Sequence, residues 1–342
     1  MRWACVALGI AAATLSLRAA GGVRVTVNEA ARRVDITVDG KPFTSYIWTD
    51  AVKKPVLYPI RDAGGTLVTR GWPMDPRPGE RVDHPHHVGL WLNYENVNGI
   101  DFWNNSDAIK PADAPKMGTI LHRKIVSATS GAARGELVTE SDWVLHDGKA
   151  IVHERTQYGF AGDATTRTID RTTTLTAGSE RVVFADAKDG MLGMRVARQL
   201  ELPSTKPEVF TDISGRKTAV PVLDNTGITG NYLTSEGKQG NDAWGTRGRW
   251  CMLRGRIGDT PIAIAILDHP KNPGFPTYWH ARDYGLFAAN PLGQKVFSNG
   301  KETLNFALEP GQSATFRYRI VILDGPATAE RAEREYKTFA QQ

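Results

Sequence analysis

Short stretches that alternate apolar and polar residues, each closed by a turn, run along almost the whole chain, and this pattern limits the fold more than any other feature. Such alternation puts every second side chain on one face of an extended strand. It predicts strands over residues 23–28, 34–38, 43–48, 56–61, 66–70 and 86–94, then over 122–129, 135–145, 150–159, 167–177 and 182–187. Further strands are expected over 250–257, 262–267, 303–308 and 314–323. Asp39-Gly40, Gly64-Gly65, Asp147-Gly148 and Gly258-Asp259 supply turn chemistry between neighbours. The one long helical pattern covers 327–339 and is mostly charged with a thin apolar side. No 20–50-residue period repeats, which argues against a propeller or solenoid. The expected fold is all-β: a large antiparallel β-sandwich, a single domain over 21–342, with a short C-terminal helix.

The start of the chain differs from the rest. Arg2, an apolar run through Leu17 and then Arg18-Ala19-Ala20-Gly21 describe a secretory signal peptide over residues 1–20, which implies a periplasmic or extracellular protein. The run is short for a bilayer span, and no later segment reaches that length. The formal charge is +5, and losing Arg2 and Arg18 with the leader leaves +3. That is too little and too dispersed for a nucleic-acid partner. Cys251 alone remains in the mature chain, inside the apolar run Trp250-Cys251-Met252-Leu253, and reads as a buried inert thiol.

Chemistry concentrates first at Asp83-His84-Pro85-His86-His87, at the end of the Pro-rich loop that follows Arg70. On an extended backbone His84 and His86 point to one face and His87 to the other. Two imidazoles on one face could hold a divalent metal with further ligands from elsewhere, or could act as general acid and base. Asp83 could orient one ring. Downstream, Trp91 and Trp103 could stack on a sugar ring or pack in the core. Asp189-Gly190 reads as a hairpin turn, and Lys188 and Arg195 either hold an anionic or polyhydroxylated ligand or, the plainer reading, sit in solvated ion pairs with carboxylates.

A second concentration lies in the C-terminal half: Trp244-Gly245-Thr246-Arg247, Asp268-His269-Pro270, Tyr278-Trp279-His280-Ala281-Arg282 and Asn290. His269 ends a strand and opens a Pro-rich loop, much as His84 does. An extended 279–282 segment puts Trp279 and Ala281 on one side and His280 and Arg282 on the other. His280 with Arg282 suits a carboxylate or oxyanion. Gly-x-Ser-x-Gly, P-loop, dinucleotide-binding and His-Glu-x-x-His patterns are all absent.

Taken together, Arg70, Asp83-His84-Pro85-His86-His87-x-Gly89-Leu90-Trp91, Asn98-Gly99-x-Asp101-Phe102-Trp103, Asp186-x-Lys188-Asp189-Gly190, Trp244-Gly245-x-Arg247, His269-Pro270-x-Asn272-Pro273 and Trp279-His280-x-Arg282 form a set. With it the chain resembles, from about residue 40 to 325, a secreted bacterial family of unknown function that carries the label methane oxygenase PmoA family. A membrane oxygenase subunit needs several apolar helices, which this sequence lacks past residue 20. The resemblance implies a setting in carbohydrate catabolism and a fold similar to the galactose-mutarotase-like supersandwich.

The sequence thus predicts an exported carbohydrate-active protein that binds a small molecule or oligosaccharide and uses acid–base chemistry as a lyase, epimerase or hydrolase. The candidate catalytic residues are His84, His86, His87, His269 and His280. Those for substrate binding are Arg70, Asp83, Trp91, Trp244, Arg247, Trp279, Arg282 and Asn290. No cofactor is expected, although a divalent metal on His84 and His86 would make it a metalloenzyme. A non-catalytic carbohydrate-binding module is the other alternative.

Overall fold

The computed structural model of the protein describes residues 21–211 and 217–342, so the expected leader over 1–20 lies outside the described residues. Two eight-stranded antiparallel sheets dominate. The first runs, in spatial order, Val23–Asn28, Arg33–Val38, Lys41–Ile47, Val56–Ile60, Leu90–Tyr94, Gly190–Arg195, Leu286–Asn290 and Tyr278–Ala281. The second runs Asn231–Thr234, Trp250–Ile257, Thr260–Asp268, Ser313–Asp324, Thr166–Ala177, Ala150–Gly162, Gly135–Val144 and Thr119–Thr129. The large antiparallel sandwich expected from the alternating pattern is the fold.

Alternation decides what each strand buries. Leu90, Leu92 and Tyr94 turn inward from the first sheet, with Phe287, Ala289, Trp279 and Ala281 beside them. They meet Leu137, Trp143, Tyr158 and Phe160 of the second sheet in one core. Each large side chain so enclosed contributes roughly 1.5–3 kcal/mol. The out-of-phase residues of the first sheet, Val56, Tyr58, Trp91, Leu286 and Ala288, form a smaller apolar layer on its outer face, joined by Trp103. Gly193 faces that layer, where a Cβ would come within 2.6 Å of the Trp91 ring and 2.8 Å of Trp103. The outer face of the second sheet is covered by the helix Ala329–Phe339, whose Ala332, Tyr336 and Phe339 pack on Trp250, Met252 and Ala265. Thr328 caps this helix by accepting from the Arg331 N–H.

Some expected elements differ. The strand expected over 66–70 is reduced to isolated bridges from Leu67 and Thr69, and the strand expected from 86 begins at Leu90. Asp189-Gly190 is not a hairpin turn. The strands before and after it, Val182–Phe184 and Gly190–Arg195, belong to different sheets. Cys251 is fully buried, as expected. Among the described residues no helix is long and apolar enough to cross a membrane.

Candidate functional site

The outer face of the first sheet carries the densest polar cluster of the motif residues, and a turn creates it. The His87 N–H donates to the His84 carbonyl at 3.0 Å, closing a tight turn through Pro85 and His86. Pro85 fixes its own φ at a turn value, and His84 takes a left-handed φ of 48°. The three imidazoles are therefore not spread over two faces, as an extended run would require. They gather: the His84 ring lies parallel to His87 with centroids 4.9 Å apart, and His86 meets His87 edge-on at 4.3 Å. Gly89 then lets the chain enter the sheet, at φ 59° and so close to the Leu57 carbonyl that a Cβ would lie 2.1 Å from its oxygen.

Arg70 pins this turn from beneath. It is buried, and its guanidinium donates to the carbonyls of Asp83 (2.7 Å), His84 (3.0 Å) and His87 (3.1 Å) and to the Asp83 carboxylate (2.6 Å). Arg195, fully buried on the neighbouring strand, adds a second ion pair to the same Asp83 oxygen at 2.7 Å. Burial opposes a charge on Asp83, but Arg195, the His84 ring and Arg70 outweigh it and hold the carboxyl well below its usual range.

That ionised carboxylate sets the His84 tautomer. Asp83 Oδ2 lies 2.7 Å from His84 Nδ1 and can only accept, so Nδ1 carries the proton and Nε2 offers its lone pair. The His84 side chain is 40% exposed, so this lone pair is within reach of a solute. Its ring is clamped between His87 and Tyr284, the latter parallel at 5.0 Å. Tyr284 is delivered by the turn Arg282–Gly285, in which the Gly285 N–H donates to the Arg282 carbonyl at 3.1 Å. Burial pushes the Tyr284 phenol up to about 12.

The same face receives His280 and the Lys188-Asp189 loop. His280 Nδ1 lies 3.4 Å from Asp189 Oδ1, without hydrogen-bond geometry. Burial, with Arg282 and Lys188 nearby, pulls the His280 imidazole down to about 3, and His84 acts on it in the same sense. Burial pushes Asp189 up to about 6 despite Lys188 at 3.6 Å. Burial and neighbouring cations hold His86 and His87 well below the ordinary imidazole range. Buried Lys54, donating to the His86 carbonyl at 2.8 Å, is pulled down to about 7. The outcome is one open-faced base on His84, one carboxyl poised near neutrality on Asp189, and a ring of cations.

Several expected ligand-binding residues have other duties. Trp91 is fully buried beneath His87, with ring centroids 5.2 Å apart, so its faces are closed to a sugar, and Trp103 packs against it. Trp279 points into the core between the sheets. Arg247 donates to the carbonyls of Gly274, Phe275 and Pro276 and pairs with Glu302 at 2.6 Å, which staples a loop. Asn290 is a clasp: Nδ2 donates to Ala187 and Lys188 carbonyls while Oδ1 accepts from Leu292 and Gly293, so it is saturated and holds the Asp189 loop. Arg70 is likewise committed to the turn. His269 lies elsewhere, buried edge-on against Phe339 on the outer face of the second sheet. Lys188, half-exposed, faces Asp189 at 3.6 Å as a solvated ion pair, whereas Arg195 is fully buried on Asp83. Arg282 and half-exposed Trp244 do reach the site's rim, with the guanidinium carbon 5.8 Å from the Trp244 ring centroid.

Sequence reasoning missed Tyr284, Lys54 and the chemical role of Asp189. Only Asp189 carried a signal, its place beside Lys188 at a strand start. Among the described residues no three His, Cys, Asp or Glu side chains converge as metal ligands. The His84 and His86 rings stand edge to face at 5.7 Å.

Residues 33–337 match a family described as a family of unknown function, DUF6807. The chain belongs to this family. That fits the expected membership of a family without an assigned activity. No curated protein matches the sequence. Solved structures similar to this chain include a putative aldose 1-epimerase from Escherichia coli K12, at 13% identity over 89% of this chain and 99% of that one, TM-score 0.38. Galactose 1-epimerase from Lactobacillus acidophilus NCFM gives 10% identity over 89% and 98%, TM-score 0.38. The galactosidase domain of an α-galactosidase-sucrose kinase gives 9% identity and TM-score 0.41, with 88% of this chain spanning 42% of that one.

Proposed function

We propose that this DUF6807 protein is an exported carbohydrate-processing enzyme, a lyase, epimerase or hydrolase, that works by proton transfer at His84. The observation that carries the reading is the Asp83–His84 pair, 2.7 Å apart, on a histidine whose side chain is 40% exposed. A carboxylate that fixes the tautomer and stabilises the imidazolium formed on proton uptake is how an imidazole is made a directed base. Asp189, protonated below about pH 6, is the partner acid, and His280 beside it stays neutral. Arg282 and Lys188 stabilise negative charge developing on substrate oxygen. An open polar face with one half-exposed tryptophan, Trp244, suits a polyhydroxylated ring better than an apolar ligand.

The test is turnover. The protein is incubated with panels of aldoses, glycosides and 3-keto-glycosides, and products are followed by NMR. His84→Gln, which alters a partly exposed ring, should lower the rate by about 10²–10⁴-fold. Equal rates for variant and wild type would overturn the assignment of His84. Sugar binding that is lost in Trp244→Ala, unchanged in His84→Gln and never followed by turnover would make the protein a binding module instead.

A further inference from the structure

The arginines around this site divide into two kinds. Arg70, Arg195 and Arg247 spend their N–H groups on carbonyls, carboxylates or an imidazole of the protein itself. Arg282 does not. Its guanidinium lies 5.8 Å from the Trp244 ring and 5.4 Å from the Tyr284 ring, and no acceptor among the described residues takes a hydrogen bond from it. Aromatic faces fix the plane of a guanidinium and leave its N–H edge unspent. An arginine held ready but unpaired, beside a directed base, is arranged for an acceptor that arrives with the ligand.

The unspent guanidinium edge favours an anion. Beneath the His84 turn Arg70 and Arg195 share Asp83, and buried Glu201 acts on both from further off, so these two guanidiniums are already balanced and the free edge of Arg282 is not. The geometry further favours a single negative charge. One guanidinium edge matches the two oxygens of a carboxylate. The other exposed cation, Lys188, already faces Asp189 at 3.6 Å, and that aspartate would repel the second charge of a phosphate.

We propose that Arg282 is a carboxylate receptor and that the ligand is a sugar acid, a uronic acid or a uronate-bearing glycoside. This rests on the carbohydrate reading above and names its substrate class. Trp244 and Tyr284 are then positioning residues that hold the guanidinium in plane.

The full chain is titrated by calorimetry or ligand-observed NMR with glucuronate, galacturonate, glucose, galactose and glucose 6-phosphate, at low salt and at 0.5 M NaCl. Uronates should bind at least about tenfold tighter than their neutral parents, and the preference should shrink with salt. Arg282→Gln should erase the preference, so that uronate and neutral parent bind alike, and Arg282→Lys should restore only part of it, because an ammonium cannot grip two oxygens in a plane. Equal binding of uronate and parent, or a preference that survives in Arg282→Gln, overturns the proposal and leaves the carbohydrate reading standing. Tighter binding of glucose 6-phosphate than of glucuronate overturns it in favour of a phosphate site. If no sugar binds but lactate does, and Arg282→Gln abolishes that, the carboxylate receptor stands and the carbohydrate reading falls.

Discussion

Asp83-His84-Pro85 and Asp268-His269-Pro270 are the same tripeptide in two surroundings. Each follows an aspartate into a proline-containing turn at a sheet end. Asp83 is paired with two guanidiniums, stays ionised and pulls on the His84 Nδ1 proton. Asp268 is fully buried and accepts from neutral donors, the Asn272 Nδ2 group and the Thr277 N–H, both at 2.8 Å, with the Arg247 charge a minor influence. Burial therefore pushes Asp268 up to about 7. His269 turns away from it, accepts the Lys271 N–H on Nδ1 at 3.1 Å and packs edge-on against Phe339. One aspartate has been given cations and an exposed imidazole. The other closes a loop. The chemistry comes from the company the tripeptide keeps, two arginines from separate segments, and not from the tripeptide.

Stability separates the two aspartates most strongly. Asp83→Asn leaves two buried guanidiniums without their counter-charge and should cost about 3–5 kcal/mol in urea unfolding at pH 7. Asp268→Asn faces no such penalty, and its cost should depend on pH. The folded-state value of Asp268 is raised from 3.8 to about 7, so its stabilisation is complete below about pH 3.8 and is lost as pH rises through 7. Asp83 is depressed, so its contribution is present above about pH 3.8 and is lost as pH falls. The stability of wild type relative to Asp268→Asn should then fall between pH 4 and pH 8, by an amount on the order of 2–4 kcal/mol. A pH-independent gap would show that Asp268 is charged like any surface carboxylate and would erase the contrast.

What the chain reveals unaided stops at about this level. Alternation was enough to find most of the sheet strands and to put His280 and Arg282 opposite Trp279, because a strand's period of two needs no partner to be read. It could not say which side was the site, since both faces of the central strands are covered. For that reason Trp279 looked like a binding residue and is core. The 84–87 segment misled for a different reason. Pro85 nucleates a turn that brings onto one side three rings an extended backbone would separate. Arg247 and Asn290 look like ligand contacts in sequence, and only long-range partners, Glu302 for one and the Ala187 and Lys188 carbonyls for the other, reveal them as loop clasps. Tyr284 gave no signal, because its role depends on a stack with a residue two hundred positions away.

The two histidines offer a smaller contrast with opposite signs in two measurements. His269→Ala removes a fully buried ring and opens a cavity beside Phe339, so it should cost about 2 kcal/mol and leave turnover unchanged. His84→Ala removes a ring that is 40% exposed and should cost under about 1 kcal/mol while abolishing most turnover. A folded His269→Ala protein with impaired catalysis would mean that the two outer faces communicate, which nothing in their separate packing provides for.

The smallest expected effect concerns the rim. Trp244 is the one tryptophan among the described residues that is exposed as much as 39%, and it is held by Phe297 at 5.7 Å on one side and by the Arg282 guanidinium on the other. Trp244→Ala should cost no more than about 1 kcal/mol in unfolding, because the ring is only partly enclosed. It should weaken ligand binding by about 0.5–1.5 kcal/mol, the worth of one aromatic stacking partner, which is roughly two- to tenfold in affinity. Trp244→Phe should recover most of that loss by restoring a flat face beside Arg282. The mode of failure is informative. If Trp244→Ala weakened uronate and neutral sugar equally, the ring would be touching the sugar. If it weakened only the uronate, the ring would be acting through the orientation of Arg282, and the aromatic contacts of that arginine would be what separates this end of the first sheet from the closed loop around Asp268.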